Sequence, residues 1–241
     1  MNIIDDLISI LNVEAKVKDI RQGLFYTGVL TRHCGLAATL FREALGQKSP
    51  LVKAPGSYVE NNPLELARMA HSESLIEAAV GMATINSLVD IEEDRCLELN
   101  ARELIAEKGA GKRVAIIGHF PFIPKIRKIV KELWVIEKNP RPGDFKEEAA
   151  ENFIPKAQVV AITGTSITNH TFIRLMGLCH SKTYVIVLGA TTPLSTVLFD
   201  YGVDAISSTK VIDPDLTLRC ISEGATFRQI RGTKRLTMLK P

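Results

Sequence analysis

The residues best suited to chemistry fall at four places in the second half of the chain. Thr163-Gly164-Thr165-Ser166 and then Asn169 follow an apolar run, Val159 to Ile162, and precede a helical spacing of Phe172, Leu175, Met176 and Cys179. Hydroxyls beside free helix N–H groups suit a carboxylate or a phosphate. Gly118-His119-Phe120-Pro121-Phe122 ends an earlier apolar run. There Gly118 lets a ligand approach the backbone, and His119 is the candidate proton carrier or metal ligand. Glu137 ends the next run, nineteen residues after Gly118, where nucleotide-binding sheets place the acid that grips a ribose hydroxyl; Asn139 and Asp144 follow it. Gly189-Ala190-Thr191-Thr192-Pro193 closes the set. These residues are equally good turn and cap formers: Asn169 suits a helix cap, Glu137 could pair with Lys138, and His119 could simply be packed.

The elements that must position them alternate regularly. Strands are expected at 113–118, 133–137, 159–162, 184–188 and 203–207, with helices at 124–132, 144–153 (capped by Asp144), 172–179 and 195–201. Continuous apolar strands alternating with helices specify a parallel sheet covered on both faces, a Rossmann-like domain over 109–241. Right-handed connections put all four loops on one edge of that sheet. There is no GxGxxG, so the dinucleotide fingerprint is missing.

Residues 1–108 follow other rules and read as a smaller α+β domain, with Gly109-Ala110-Gly111 as the boundary. Helices are expected at 2–11, 75–88 and 100–108. The second is apolar nearly all round and opens on a capping box, Ser74 with Glu77. Segments 17–32 and 36–43 are strand-like around a turn at His33-Cys34-Gly35, and 47–62 is a loop. Asn86, polar within a buried helix, either bonds internally or points into the cleft between the domains.

Composition limits the function classes. Across 241 residues, 46% are hydrophobic and 24% charged, ordinary for a globular protein. No apolar run approaches the ~20 residues that span a bilayer, and the N-terminus lacks a basic leader, so a cytoplasmic location is expected. The four cysteines form no CxxC pair, which excludes a zinc ribbon. The His33-Cys34 and Cys179-His180 adjacencies are weak metal signals, the first the better of the two. The last fourteen residues carry five basic side chains and no acid, giving the expectation of a solvated basic tail. Nucleic acid is not expected, because no aromatic interleaving accompanies that charge.

Several segments together resemble a family of prokaryotic proteins known by the label "putative heavy-metal chelation". They are Gly35 to Thr39, Glu77 to Ser87, Gly118 to Phe122, Glu137 to Pro140 with Gly143-Asp144, Thr163 to Thr165 with Asn169 to Thr171, and Leu188 to Ala190 with Pro193-Leu194. The resemblance implies an enolase-like N-terminal domain, a Rossmann-like C-terminal domain, and an active site in the cleft between them. It implies a chelation role, hence a divalent transition metal as cofactor, for which His33, Cys34 and His119, with Glu137, are the candidate ligands. The expectation is a small anionic or heterocyclic ligand bound by Gly118, Asn139, Thr163, Gly164, Thr165, Ser166, Asn169, Gly189, Thr191 and Asn86. His119 and Glu137 are the expected catalytic pair, and a homodimer the expected assembly. The alternative is an enzyme binding a nucleotide or S-adenosylmethionine through Glu137.

Overall fold

A computed structural model describes residues 2–48 and 50–241. Among the described residues, ten strands form two sheets. β1 (Asp19–Gln22), β2 (Tyr26–Leu30) and β3 (Cys34–Ala38) make an antiparallel meander. β4 (Cys96–Leu97), β5 (Arg113–Ile117), β6 (Glu132–Ile136), β7 (Val159–Thr163), β8 (Tyr184–Leu188), β9 (Ala205–Val211) and β10 (Thr233–Leu239) make a seven-stranded sheet in the order β4-β10-β9-β8-β7-β5-β6. The five strands from β9 to β6 run parallel; β10 and β4 are antiparallel additions at one side. The molecule is therefore a mixed α/β protein with a Rossmann-like sheet and a smaller antiparallel one.

Helices in chain order are α1 (Ile3–Ser9), α2 (Phe41–Ala44), α3 (Pro63–Arg68), α4 (Leu75–Leu88), α5 (Ala101–Gly109) and α6 (Ile123–Ile126). There follow α7 (Ala150–Phe153), α8 (Thr165–Thr168), α9 (Phe172–Gly177), α10 (Val197–Asp200) and α11 (Pro214–Ser222). Alternation along the parallel strands sends Val114, Ile116, Val135, Val159 and Ala161 to one face, where Leu104 and Ile105 of α5 and Ile126 of α6 cover them. Ala115, Trp134, Ile136, Val160 and Ile162 go to the other face and join a core shared with α1, α3 and α4. The two halves thus share one apolar interior. Burying each large side chain there contributes about 1.5–3 kcal/mol.

α4 is buried on nearly every face because it is sandwiched, and two glycines permit the approach. A Cβ at Gly81 would lie 1.9 Å from the Ala70 nitrogen, and one at Gly35 would lie 2.1 Å from the Ala83 carbonyl oxygen. The expected capping box does not form. The Ser74 hydroxyl donates to the Leu51 carbonyl (2.5 Å), while buried Glu77 accepts from the Lys53 N–H (2.8 Å) and the Ser72 hydroxyl (2.8 Å). Both side chains thus serve the Pro- and Gly-rich segment before α3, Ser74 as donor to the Leu51 carbonyl and Glu77 as acceptor of the Lys53 N–H.

Other expectations change for local reasons. Segment 17–32 is two strands, broken at Gly23, whose missing side chain admits the Ile221 carbonyl; a Cβ there would be 2.2 Å from it. The 36–43 strand stops at Ala38 and the chain turns into α2. The 124–132 helix is the single turn α6, and 144–153 is a 3-10 turn, Glu147–Ala149, leading into α7. Asp144 caps neither, because its carboxylate is engaged elsewhere. The basic C-terminus is not a solvated tail: it is β10, with Leu236 and Met238 buried, Lys234 paired to Glu98 at 2.7 Å and Arg235 stacked over Phe227. Leu236, Thr237 and Met238 are buried in succession, because β10 lies between β4 and β9 with both faces covered there, and the basic side chains sit at its start. No helix among the described residues is long and apolar enough to cross a membrane.

Candidate functional site

The parallel strands diverge at β5 and β7: from β5 the chain moves to one neighbour, β6, and then returns to the other side for β7, β8 and β9. Open α/β sheets bind ligands outside the carboxyl ends of the strands at such a point. A cavity of about 240 Å³ lies there, walled by the loops after β5, β6 and β7 and by Leu40 and Glu43 at α2 of the first half.

After β5, Gly118 adopts φ +104°, which only glycine takes without strain, and its N–H closes onto the Ile136 carbonyl (2.9 Å). A Cβ there would also press to 3.2 Å from the Phe120 ring and from Thr163. The turn delivers His119 beside two carboxylates. Glu137 Oε2 accepts the His119 backbone N–H (2.8 Å), and its Oε1 accepts the Asn139 N–H (3.3 Å). Asp144 Oδ2 meets His119 Nδ1 at 2.7 Å and also accepts the Arg141 N–H (3.1 Å). The Asp144 side chain is 3% exposed and that of His119 20%. A carboxylate at Nδ1 fixes the proton of the neutral ring on that nitrogen and leaves the Nε2 lone pair free.

After β7, the Thr163 and Thr165 hydroxyls lie 3.0 Å apart, so one of their two protons stays available to a ligand. The Ser166 hydroxyl donates to the Thr163 carbonyl (2.7 Å), holding α8 to the strand. Asn169 accepts from the Thr171 hydroxyl (2.7 Å) and N–H (3.3 Å), so it braces the turn into α9. His170 in that turn has φ +60°. Phe120 stacks on Phe122 with ring centres 5.2 Å apart and forms an apolar wall with Ile117, Ile136, Leu40 and Leu175.

Seven of the residues singled out in the sequence line this cavity: Gly118, His119, Glu137, Thr163, Thr165, Ser166 and Asn169. Others are placed elsewhere. Gly164 packs on the β8 loop; a Cβ there would be 2.3 Å from Thr192 Oγ1 and 2.7 Å from its nitrogen. Asn139 gives only its backbone N–H to Glu137 and is outside the wall.

Asn86 and Thr191 form a seam between the halves. β3 is an edge strand, so its outward groups need partners. Asn86 Nδ2 donates to the Leu36 carbonyl (2.8 Å) and the Thr191 carbonyl (3.0 Å), and the Thr191 hydroxyl oxygen accepts the Ala38 N–H (2.9 Å). Gly189 turns the chain into that contact with φ +113°.

His33 sits at the β2–β3 turn, 3.8 Å from Asp90. Neither it nor Cys34 reaches the cavity wall. Cys34 is buried, and that burial, aided by Asp19, pushes its thiol up to about 12, which disfavours the thiolate a metal needs. Among the described residues, no three His, Cys, Asp or Glu side chains are arranged to hold a metal ion. Glu43, Leu40 and the Asp144 partnership went unread in the sequence. Asp144 stood only twenty-five positions from His119, but nothing in the spacing marks a contact across two loops.

Family models described as "Putative heavy-metal chelation" match residues 100–240 and 4–89. An uncharacterized protein of Methanocaldococcus jannaschii is 26% identical over 248 residues, covering 97% of this chain and 93% of that protein. Crystal structures of proteins of unknown function from Desulfitobacterium hafniense and Pyrococcus horikoshii superpose with TM-scores of 0.84 and 0.83. Both are 22% identical and cover 99% of this chain and 98% of theirs, which establishes a common fold.

Proposed function

This chain belongs to the family described as "Putative heavy-metal chelation", and we propose that it binds a small molecule in the cavity between its halves and accepts a proton from it at His119 Nε2. The observation that supports this reading most is the His119–Asp144 pair at 2.7 Å, with His119 lining the same cavity as the Thr163 and Thr165 hydroxyls. A buried carboxylate that orients an imidazole is an arrangement suited to proton transfer. Glu137 positions the same histidine from its backbone side, which is a different task from gripping a ribose.

A metal held by the protein alone is a poor fit for these residues. His119 Nδ1 is already taken, the Cys34 thiol is buried and remote from the wall, and the described donors do not converge. The small molecule, rather than a protein-held ion, is the occupant this reading assigns to the cavity.

Two measurements test it. Elemental analysis of protein purified without added metal should find Ni, Co, Zn and Cu well below one per chain; stoichiometric retention would overturn the assignment. A thermal-shift panel of small metabolites, nucleosides included, should yield compounds that stabilise the wild type and lose that effect in His119→Asn and Thr165→Ala. Hits that stabilise both variants as well as the wild type would also overturn it.

A further inference from the structure

The cavity walls narrow the class of molecule they could take, and this inference rests on the cleft reading above. Around the apolar surface of Phe120, Ile117 and Leu40 stand three carboxylates, Glu43, Glu137 and Glu147. Glu147 is compensated, by Lys138 at 3.8 Å and Arg174 at 2.9 Å. Lys138 is the one ammonium in the wall among the described residues, and no arginine lines it. Glu137 accepts two amide N–H groups and has no ion-pair partner among the described residues. Glu43 comes from the opposite half on α2, half-buried, and among the described residues its carboxylate has no ion-pair or hydrogen-bond partner. Arg42 beside it is exposed and outside the wall.

This balance disfavours the anion that the hydroxyl-rich loop suggests. A carboxylate or phosphate ligand would enter a partly desolvated space already holding two uncompensated negative charges. α8 offers little in return, being a single turn. A bare metal ion suits it no better, because among the described residues no three His, Cys, Asp or Glu side chains converge on a point that could hold one. We propose that the cavity takes an organic cation (an amine, amidine or guanidine on an apolar body), with Glu43 as the specificity residue that holds the charged group. The body lies against Phe120, and His119 faces the ligand from the second half. Selectivity and proton transfer are thereby divided between the two halves of the chain.

Benzamidine and benzoate have nearly the same shape and opposite charge, which makes them a matched pair of probes. Each is titrated into isotope-labelled full-length protein while backbone amides are followed by NMR. Benzamidine should shift Gly118, Thr165 and Asn169 saturably, and benzoate should not. Glu43→Gln should weaken benzamidine roughly tenfold while leaving the rest of the spectrum unchanged, and Glu43→Asp should recover part of the loss. Equal or tighter benzoate binding at those amides would overturn the cation assignment and leave the cleft reading standing. So would unchanged benzamidine affinity in Glu43→Gln. Saturation confined to amides remote from the cavity, or binding of neither probe, would overturn the proposal; only the former also counts against the cleft.

Discussion

Replacing Asn86 with alanine should loosen the seam between the halves while leaving the ligand cavity intact. The side chain donates to two carbonyls, Leu36 at 2.8 Å and Thr191 at 3.0 Å, and both residues are buried. Orphaning a buried acceptor costs about 1–3 kcal/mol. The variant also removes the Asn86 Oδ1, which is buried without a partner, and that recovers part of the loss. The net expectation is about 2–4 kcal/mol, or roughly 5–15 °C in Tm for a chain of this length. Thr191→Val removes the acceptor of the Ala38 N–H and should cost about 1–2 kcal/mol. The two act on the same strand edge, so the double variant should depart from additivity by about 0.5 kcal/mol or more. Thermal melts and urea titrations of the four proteins, with circular dichroism to confirm native structure, measure the cycle. A folded Asn86→Ala protein melting within about 2 °C of the wild type would refute the seam.

Three further outcomes follow from the geometry. Nitrogen-detected NMR of neutral His119 should show its proton on Nδ1, with the preference relaxed in Asp144→Asn; a wild-type ring protonated on Nε2 would contradict the pairing. Gly164→Ala should destabilise by about 1–3 kcal/mol through its clash with the Thr192 backbone, and wild-type stability would show that the β8 loop is not packed there. Burial raises the Cys34 thiol from 9.0 to about 12. The folded state therefore holds that proton longer than the unfolded chain does, and stability should fall as pH rises from about 9 toward 12. Melts from pH 8 to 11 should fall less steeply for Cys34→Ala than for the wild type, and equal slopes would remove Cys34 from the account.

What the sequence disclosed follows the range of the forces involved. The parallel sheet was legible because Val159 to Ile162 and Tyr184 to Leu188 are continuous apolar runs, a local signal of burial on both faces. Gly118, His119, Glu137, Thr163, Thr165 and Ser166 were legible as cavity-lining residues because strand ends mark the ligand edge of such a sheet. Helix lengths were not: the helix expected over 124–132 ends at Ile126 after a single turn, and Asp144, a good cap by type, is captured by His119 from another loop. Thr191 and Asn86 carry the polarity of ligand contacts, yet they serve an exposed strand edge that only the packed halves create. Glu43 gave no signal, since its position opposite His119 depends on how α2 folds across the second half.

The central claim is that the cavity between the halves, at the ends of β5, β6 and β7, is where this protein binds its small molecule. Soaking crystals with a library of small polar fragments, benzamidine and benzoate among them, tests it most directly. The account predicts fragments clustered in that cavity, within hydrogen-bond reach of His119 Nε2 and the Thr165 hydroxyl. Fragments clustering only at the His33 turn or elsewhere on the surface, with the cavity empty, would contradict it.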